Sequence, residues 1–132
     1  MKLKLYNPFH CPDGRWGGVC TTIEEPKQPS KRKRCDKQVR FLFEVETDEG
    51  TRMAGRTFCA NFSYGSELHI FLASWLGEDM PGFLDDDGEI DLDRLIGRKA
   101  ELLITHGPHG AQYEYPVVNI TGIYPEGTFA AE

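Results

Sequence analysis

The alternating segment of residues 38–46, QVRFLFEVE, constrains the fold of this chain more than any other feature. Successive side chains of a β-strand point to opposite faces of a sheet, so one face receives the apolar residues Val39, Phe41, Phe43 and Val45. Asp48-Glu49-Gly50 is a tight-turn signal, and residues 51–62 are expected to return as the partner strand, with a bulge or bend at Gly55. The chain is therefore expected to build its core on a β-hairpin.

The other elements follow from the same kind of pattern. Residues 16–24 read as a first strand that Gly17 and Gly18 allow to bend, and prolines end it. In residues 66–77 the apolar positions recur at helical spacing, with Ser66 as the N-cap and Gly77 just past the end. Residues 78–89 are expected to be a loop and residues 91–97 a single helical turn. Residues 99–105 and 112–124 are expected to be the fourth and fifth strands.

This order of elements favours a mainly β fold, a five-stranded OB-fold-like barrel with one helix between strands 3 and 4. A length of 132 residues predicts a single domain covering residues 1–132. A small open barrel or half-barrel with the same elements but without OB topology is the alternative.

Charge is distributed unevenly along the chain. Residues 1–56 carry a net charge of +4 and residues 57–132 a net charge of −10. Residues 25–37, named here the basic connector, join the first two strands and are expected to form a surface loop. Eight acidic residues lie between positions 78 and 93, and six of them fall in residues 78–90, an expected acidic loop. Screening over about 8 Å at physiological salt allows a basic patch to attract phosphate while acids lie on a distant face.

The four cysteines, Cys11, Cys20, Cys35 and Cys59, contain no CxxC pair. His10, Cys11, Cys20 and Cys35 match no familiar zinc spacing, so small thiols in a reducing compartment are favoured over a metal site, and no cofactor is expected. Phosphate-loop, hydrolase and zinc-protease motifs are also absent, and the chain is expected not to be an enzyme. It has no apolar membrane span and no signal peptide, which favours the cytoplasm.

Several blocks of the sequence carry a resemblance to a protein family. These are Ser66-x-Leu68 with Leu72-x-x-Trp75-x-Gly77, residues 91–99 (DLDRLIGRK), and Val118-Asn119-Ile120 with Ile123-x-Pro125. Their order resembles small phage and prophage proteins of poorly defined function that are similar to OB-fold single-stranded-DNA-binding proteins. The resemblance implies a role in phage replication or recombination. It begins at about Gln38, so the basic connector and the cysteines before it lie outside.

OB-folds commonly bind oligonucleotides on the outer face of strands 2 and 3, flanked by the loops between strands 1 and 2 and between strands 4 and 5. Arg40, Arg52 and Arg56 are expected to form one outward strip that continues the basic connector and tracks phosphates. Aromatic rings are needed for base stacking, and Trp16, Tyr64, Tyr113 and Tyr115 are the candidates. The predicted nucleic-acid-binding residues are Lys31, Arg32, Lys33, Arg34, Lys37, Arg40, Arg52, Arg56, Trp16, Tyr113 and Tyr115.

The leading hypothesis is a non-catalytic protein that binds single-stranded DNA, with RNA as a further possibility, alongside a replication or recombination partner. The alternative is a protein-binding OB-fold adaptor with no nucleic-acid role, which docks a partner through the acidic residues 78–93 or an exposed barrel edge. Barrel edges also make a homo-oligomer possible.

Overall fold

Five antiparallel strands and one α-helix make up the computed structural model, which describes residues 1–3, 11–27, 35–105 and 120–129. The elements in chain order are β1 (Gly14–Glu24), β2 (Gln38–Thr47), β3 (Gly50–Cys59), α1 (Glu67–Leu76), β4 (Lys99–Ile104) and β5 (Ile120–Pro125). Two 3₁₀ segments, Gly77–Phe83 and Leu92–Leu95, lie between α1 and β4.

The strands form one sheet in the order β3-β2-β1-β4-β5. This is the order of an OB-fold, with α1 between strands 3 and 4, and the predicted fold class is confirmed. The sheet curls strongly into a half-barrel, which brings β3 and β5 near one another. Within the described residues these two strands end the hydrogen-bonded order and are not paired with each other.

The curl depends on the first strand, which pairs with both β2 and β4. Gly18 lies opposite Val45 on β2 and opposite Ala100 on β4. A Cβ atom at Gly18 would lie 3.0 Å from Leu102 Cδ1 and 3.2 Å from the Glu44 carbonyl oxygen. A Cβ at Gly17 would meet only Glu101 Oε2, at 3.8 Å. Gly18 is thus a packing requirement on the inner face, whereas Gly17 faces the outside.

The inner face of the half-barrel holds the core. Phe41, Phe43 and Val45 are fully buried and Val39 nearly so, which confirms the alternation. The Phe41 and Phe43 rings contact Trp75 of α1 at centroid distances of 6.5 and 5.2 Å. Trp75 in turn donates from Nε1 to the Lys99 carbonyl at 3.0 Å, which satisfies its polar atom inside the core.

Both predicted ends of α1 are confirmed. The Ser66 hydroxyl accepts a hydrogen bond from the His69 amide at 3.2 Å and so caps the helix N-terminus. Gly77 ends the helix at φ 55°, a left-handed conformation that favours glycine.

Two local expectations are wrong, the loop over residues 78–89 and the bulge at Gly55. The predicted loop over residues 78–89 contains the 3₁₀ segment Gly77–Phe83, after which a bridge pairs Leu84 with Ile90. There is no bulge at Gly55, because Gly55 pairs with Leu42 and the β2–β3 ladder continues without a register shift. Gly55 leaves room for the Leu42 side chain, whose Cδ2 would lie 2.8 Å from a Cβ there. The fifth strand is assigned from Ile120, and residues 112–119 of the predicted strand lie outside the described residues.

Two of the four cysteines are joined, contrary to the expectation of free thiols. Cys35 and Cys59 form a disulfide, with their Cα atoms 5.9 Å apart. The pairing follows from the hairpin, because Cys59 lies opposite Gln38 in the β2–β3 ladder and Cys35 is three residues before Gln38. Cys11 and Cys20 are buried and form no disulfide.

Candidate nucleic-acid interface

The predicted strip of arginines is not formed, because the hairpin register separates its members. Residues directly opposite each other in an antiparallel pair point to the same face of the sheet. Arg56 lies opposite Phe41 and Arg52 opposite Val45, so both arginines belong to the inner face. Arg40 lies opposite Thr57 and belongs to the outer face. The expectation that Arg52 and Arg56 share a face is correct, but that face is not the one that carries Arg40.

Arg40 already has an anionic partner on the neighbouring strand. Its Nε donates to Glu24 Oε1 at 3.1 Å, and Nη2 contacts the same oxygen. The Arg40 side chain is only 16% exposed. Arg40 therefore joins the ends of β1 and β2 and contributes little free positive charge.

The two inner-face arginines lie at opposite ends of β3. Arg56 is half-buried, with its guanidinium carbon 4.9 Å from the Phe58 ring centroid. Burial lowers the pKa of Arg56, and the nearby Glu67 carboxylate opposes that shift. Arg52 lies four residues closer to the turn, about 13 Å along the strand, and donates to the Thr51 carbonyl at 2.9 Å. Arg56 thus lies near the N-terminus of α1, and Arg52 does not.

Trp16 closes one part of the core instead of presenting a free ring. It lies opposite Leu102, packs half-buried against the core, and donates from Nε1 to the Pro12 carbonyl at 2.8 Å. Trp16 thus caps part of the core, which disfavours a role in base stacking. Lys31, Arg32, Lys33, Arg34, Tyr113 and Tyr115 lie outside the described residues.

The C-terminal end of the basic connector is fixed beside the end of β3. Cys35 is bonded to Cys59, and the Gln38 side-chain amide donates to the Cys35 carbonyl at 3.3 Å. The Ala60 amide donates to the Lys37 carbonyl at 2.9 Å. Lys37 itself is exposed. The connector therefore enters the sheet at the same end as Arg56 and the turn that leads into α1.

Three rings, Phe62, Tyr64 and His69, form an aromatic cluster at this end. The Tyr64 and His69 ring centroids lie 5.0 Å apart, and those of Phe62 and His69 lie 5.8 Å apart. Phe62 packs against the core, and the Gly65 amide donates to His69 Nδ1 at 3.1 Å, which fixes that ring. Tyr64 is 95% exposed. In this cluster the Tyr64 ring is exposed to solvent, and the Phe62 and His69 rings beside it are held in place.

The outer face of β1, β2 and β4 has the opposite charge. A shallow groove of about 260 Å³ lies over Gly17, Gly18 and Val19, and Glu44, Glu46, Glu101, Glu126 and Lys99 line its sides. We name it the acidic groove. Lys99 Nζ lies 3.8 Å from Glu126 Oε1, so a carboxylate already offsets this cation. A polyanion is repelled from this part of the outer face.

The aromatic cluster was only partly visible in the sequence. Tyr64 is a stacking candidate because it belongs to no apolar stripe, whereas His69 lacks an obvious partner in the linear sequence. The length of the β2–β3 turn is the sequence feature that could have placed Arg52 and Arg56 on the inner face. A two-residue turn at Asp48 and Glu49 pairs Thr47 with Gly50, and that register places Arg52 and Arg56 opposite Val45 and Phe41.

No cluster of three or more His, Cys, Asp or Glu side chains within the described ranges is arranged to hold a metal ion. Cys35 is committed to its bond with Cys59, and His10 lies outside those ranges. In the part of the chain that the structure covers, no helix has the length and apolar character needed to cross a membrane.

Comparison with known proteins gives no match to any family model, to any curated protein or to any solved structure.

Proposed function

We propose that this protein is a non-catalytic, cytoplasmic OB-fold protein that binds single-stranded DNA, with little sequence preference, in phage replication or recombination. The observation that carries the proposal is the almost fully exposed Tyr64 ring, which contacts the His69 ring beside the anchored end of the basic connector. Proteins that bind single strands without sequence preference combine aromatic stacking surfaces with a cationic path for the backbone.

The covalent geometry keeps these two parts close. Tyr64 is five residues from Cys59, a path of at most about 17 Å for an extended chain. The turn shortens that path, because the Ser66 hydroxyl donates to the Asn61 carbonyl at 2.8 Å and the Ser66 amide donates to the Ser63 carbonyl at 2.9 Å. Lys37 can therefore contact a phosphate of a strand whose base stacks on Tyr64.

Electrostatics supports this end over the outer face of the sheet. The acidic groove occupies the outer face near the β2–β3 turn, and Arg40 at the other end of that face is paired with Glu24. The connector carries Lys27, Lys31, Arg32, Lys33, Arg34 and Lys37 in its sequence, and its described C-terminal residues Cys35 and Lys37 are held beside the end of β3 that leads to the aromatic cluster. A strand bound there gains counterion release without passing over the carboxylates.

The proposal is tested by fluorescence anisotropy with a labelled oligodeoxythymidine over a range of salt concentrations. Binding is expected to weaken linearly on a log–log plot, with a slope of about −0.7 for each phosphate contact. Neutralising Lys33→Gln and Arg34→Gln together should make that slope shallower by about 1.4. The matched control, Arg94→Gln with Lys99→Gln, removes the same charge outside the connector and should leave the slope unchanged. Absence of salt-sensitive binding refutes the proposal.

A protein-binding adaptor with no nucleic-acid role is the second candidate, and the acidic groove favours it. A partner retained from nuclease-treated lysate, lost with Glu44→Gln and Glu101→Gln, together with no oligonucleotide binding, would establish the adaptor instead. An oligodeoxythymidine bound more tightly than the matching oligouridine supports DNA over RNA.

A further inference from the structure

We propose that Cys35 and Cys59 are a thiol–disulfide exchange site, through which a dithiol reductant releases the basic connector and weakens nucleic-acid binding. The inference rests on the proposed function and adds its redox regulation. In the oxidised protein the bond fixes the end of the connector beside the aromatic cluster. In the reduced protein that covalent tie is lost.

Solvent exposure of the cysteines limits thiol–disulfide exchange to Cys35 and Cys59. Cys35 and Cys59 are both partly exposed, so an attacking thiolate can reach them. Cys11 and Cys20 are 0% and 1% exposed. Burial raises the pKa of the Cys11 thiol to about 11, and an Arg52 charge only partly opposes it; burial also raises the pKa of Cys20 to about 12. These two thiols stay protonated at neutral pH and do not compete as nucleophiles.

The hydrogen bonds show what the disulfide adds. From Gln38 onward, the ladder with β3 holds β2 in place whether or not the disulfide is present. Cys35 lies before the ladder, and the bond to Cys59 ties it directly to β3. Loss of that tie leaves the connector anchored two residues later, through the Lys37 carbonyl and the Ala60 amide.

The exchange is a two-electron transfer from a dithiol of the dithiothreitol class. One reductant thiolate attacks a sulfur of the pair, forms a mixed disulfide and expels the other cysteine as a thiolate. The second reductant thiol then displaces the remaining cysteine and closes the cyclic disulfide of the reductant. The two protons of the reductant thiols end on Cys35 and Cys59.

The test compares oxidised and dithiothreitol-reduced wild-type protein. Reduction should weaken oligodeoxythymidine binding about two- to tenfold, the factor expected when one long side chain must be ordered on binding. Cys35→Ser with Cys59→Ser should bind like the reduced protein and show no response to dithiothreitol. Unchanged wild-type affinity on reduction, or a response in the double variant, overturns the proposal.

A second readout does not depend on DNA. Hydrogen exchange of the Ala60 amide, measured by NMR, should be faster in the reduced protein because its acceptor at Lys37 lies next to the released segment. If no oligonucleotide binds in either redox state, the proposed function fails, and faster Ala60 exchange still supports the release of the connector. Equal exchange rates in both states exclude that release.

Discussion

Removal of the Tyr64 ring should weaken single-stranded DNA binding while leaving stability unchanged. The side chain is 95% exposed, and its one described ring contact is with His69 at a centroid distance of 5.0 Å. The free energy of unfolding of Tyr64→Ala should therefore lie within about 0.5 kcal/mol of the wild-type value. The His69 contact lies on one side of the ring, so we expect the ring to stack one base.

Base stacking on an aromatic side chain contributes about 1–3 kcal/mol, which corresponds to an affinity loss of about 5- to 150-fold. Tyr64→Phe keeps the ring and should bind within about twofold of wild type. Leu84→Ala removes an exposed apolar side chain from the acidic stretch and should not change the affinity. The assay is fluorescence anisotropy with labelled oligodeoxythymidine, with urea unfolding as the stability control. A Tyr64→Ala protein that folds normally and binds like wild type would refute the stacking argument.

The remaining predictions concern the fold and its titration. Gly18→Ala should lower the free energy of unfolding by about 1–3 kcal/mol, because its Cβ meets Leu102 and Val45, which are fully buried. Gly17→Ala, the matched control, should change it by less than about 0.5 kcal/mol, and equal effects in urea unfolding would contradict the packing argument. Glu24→Gln should cost about 1–2 kcal/mol by leaving Arg40 without its charged acceptor, whereas loss of a fully solvated pair would cost almost nothing. Stability should also fall as the pH rises above the unfolded thiol pKa of 9.0, because the folded pKa values of Cys11 and Cys20 are about 11 and about 12. The folded state binds more protons in that window, and the two thiols together should lose about 2 kcal/mol between pH 9 and pH 10. In Cys20→Ala the thiol contribution should be half as large, and an unchanged slope would refute the assignment.

The sequence predicts the architecture well because its dominant signals are local. Alternation over residues 38–46 places Val39, Phe41, Phe43 and Val45 on one face, and each of them is buried. The Ser66 cap and the glycine after α1 are likewise readable from short spacings. These features need no knowledge of which strands pair.

The site is harder to predict because it depends on pairing between distant residues. The faces of Arg52 and Arg56 are set by the hairpin register, and a shift of one residue reverses them. The Cys35–Cys59 bond and the Glu24–Arg40 pair also need the sheet order before they can be recognised. His69 joins the aromatic cluster only through the fold of the preceding turn, in which the Gly65 amide donates to its ring.

The most direct test of the central claim is an NMR titration of the isotope-labelled protein with oligodeoxythymidine. The account predicts that amide signals of Lys37, Ala60, Tyr64 and His69 shift together with increasing ligand, while those of Glu44, Glu46 and Glu101 stay in place. Shifts concentrated on the acidic groove, with the aromatic cluster unaffected, would contradict it.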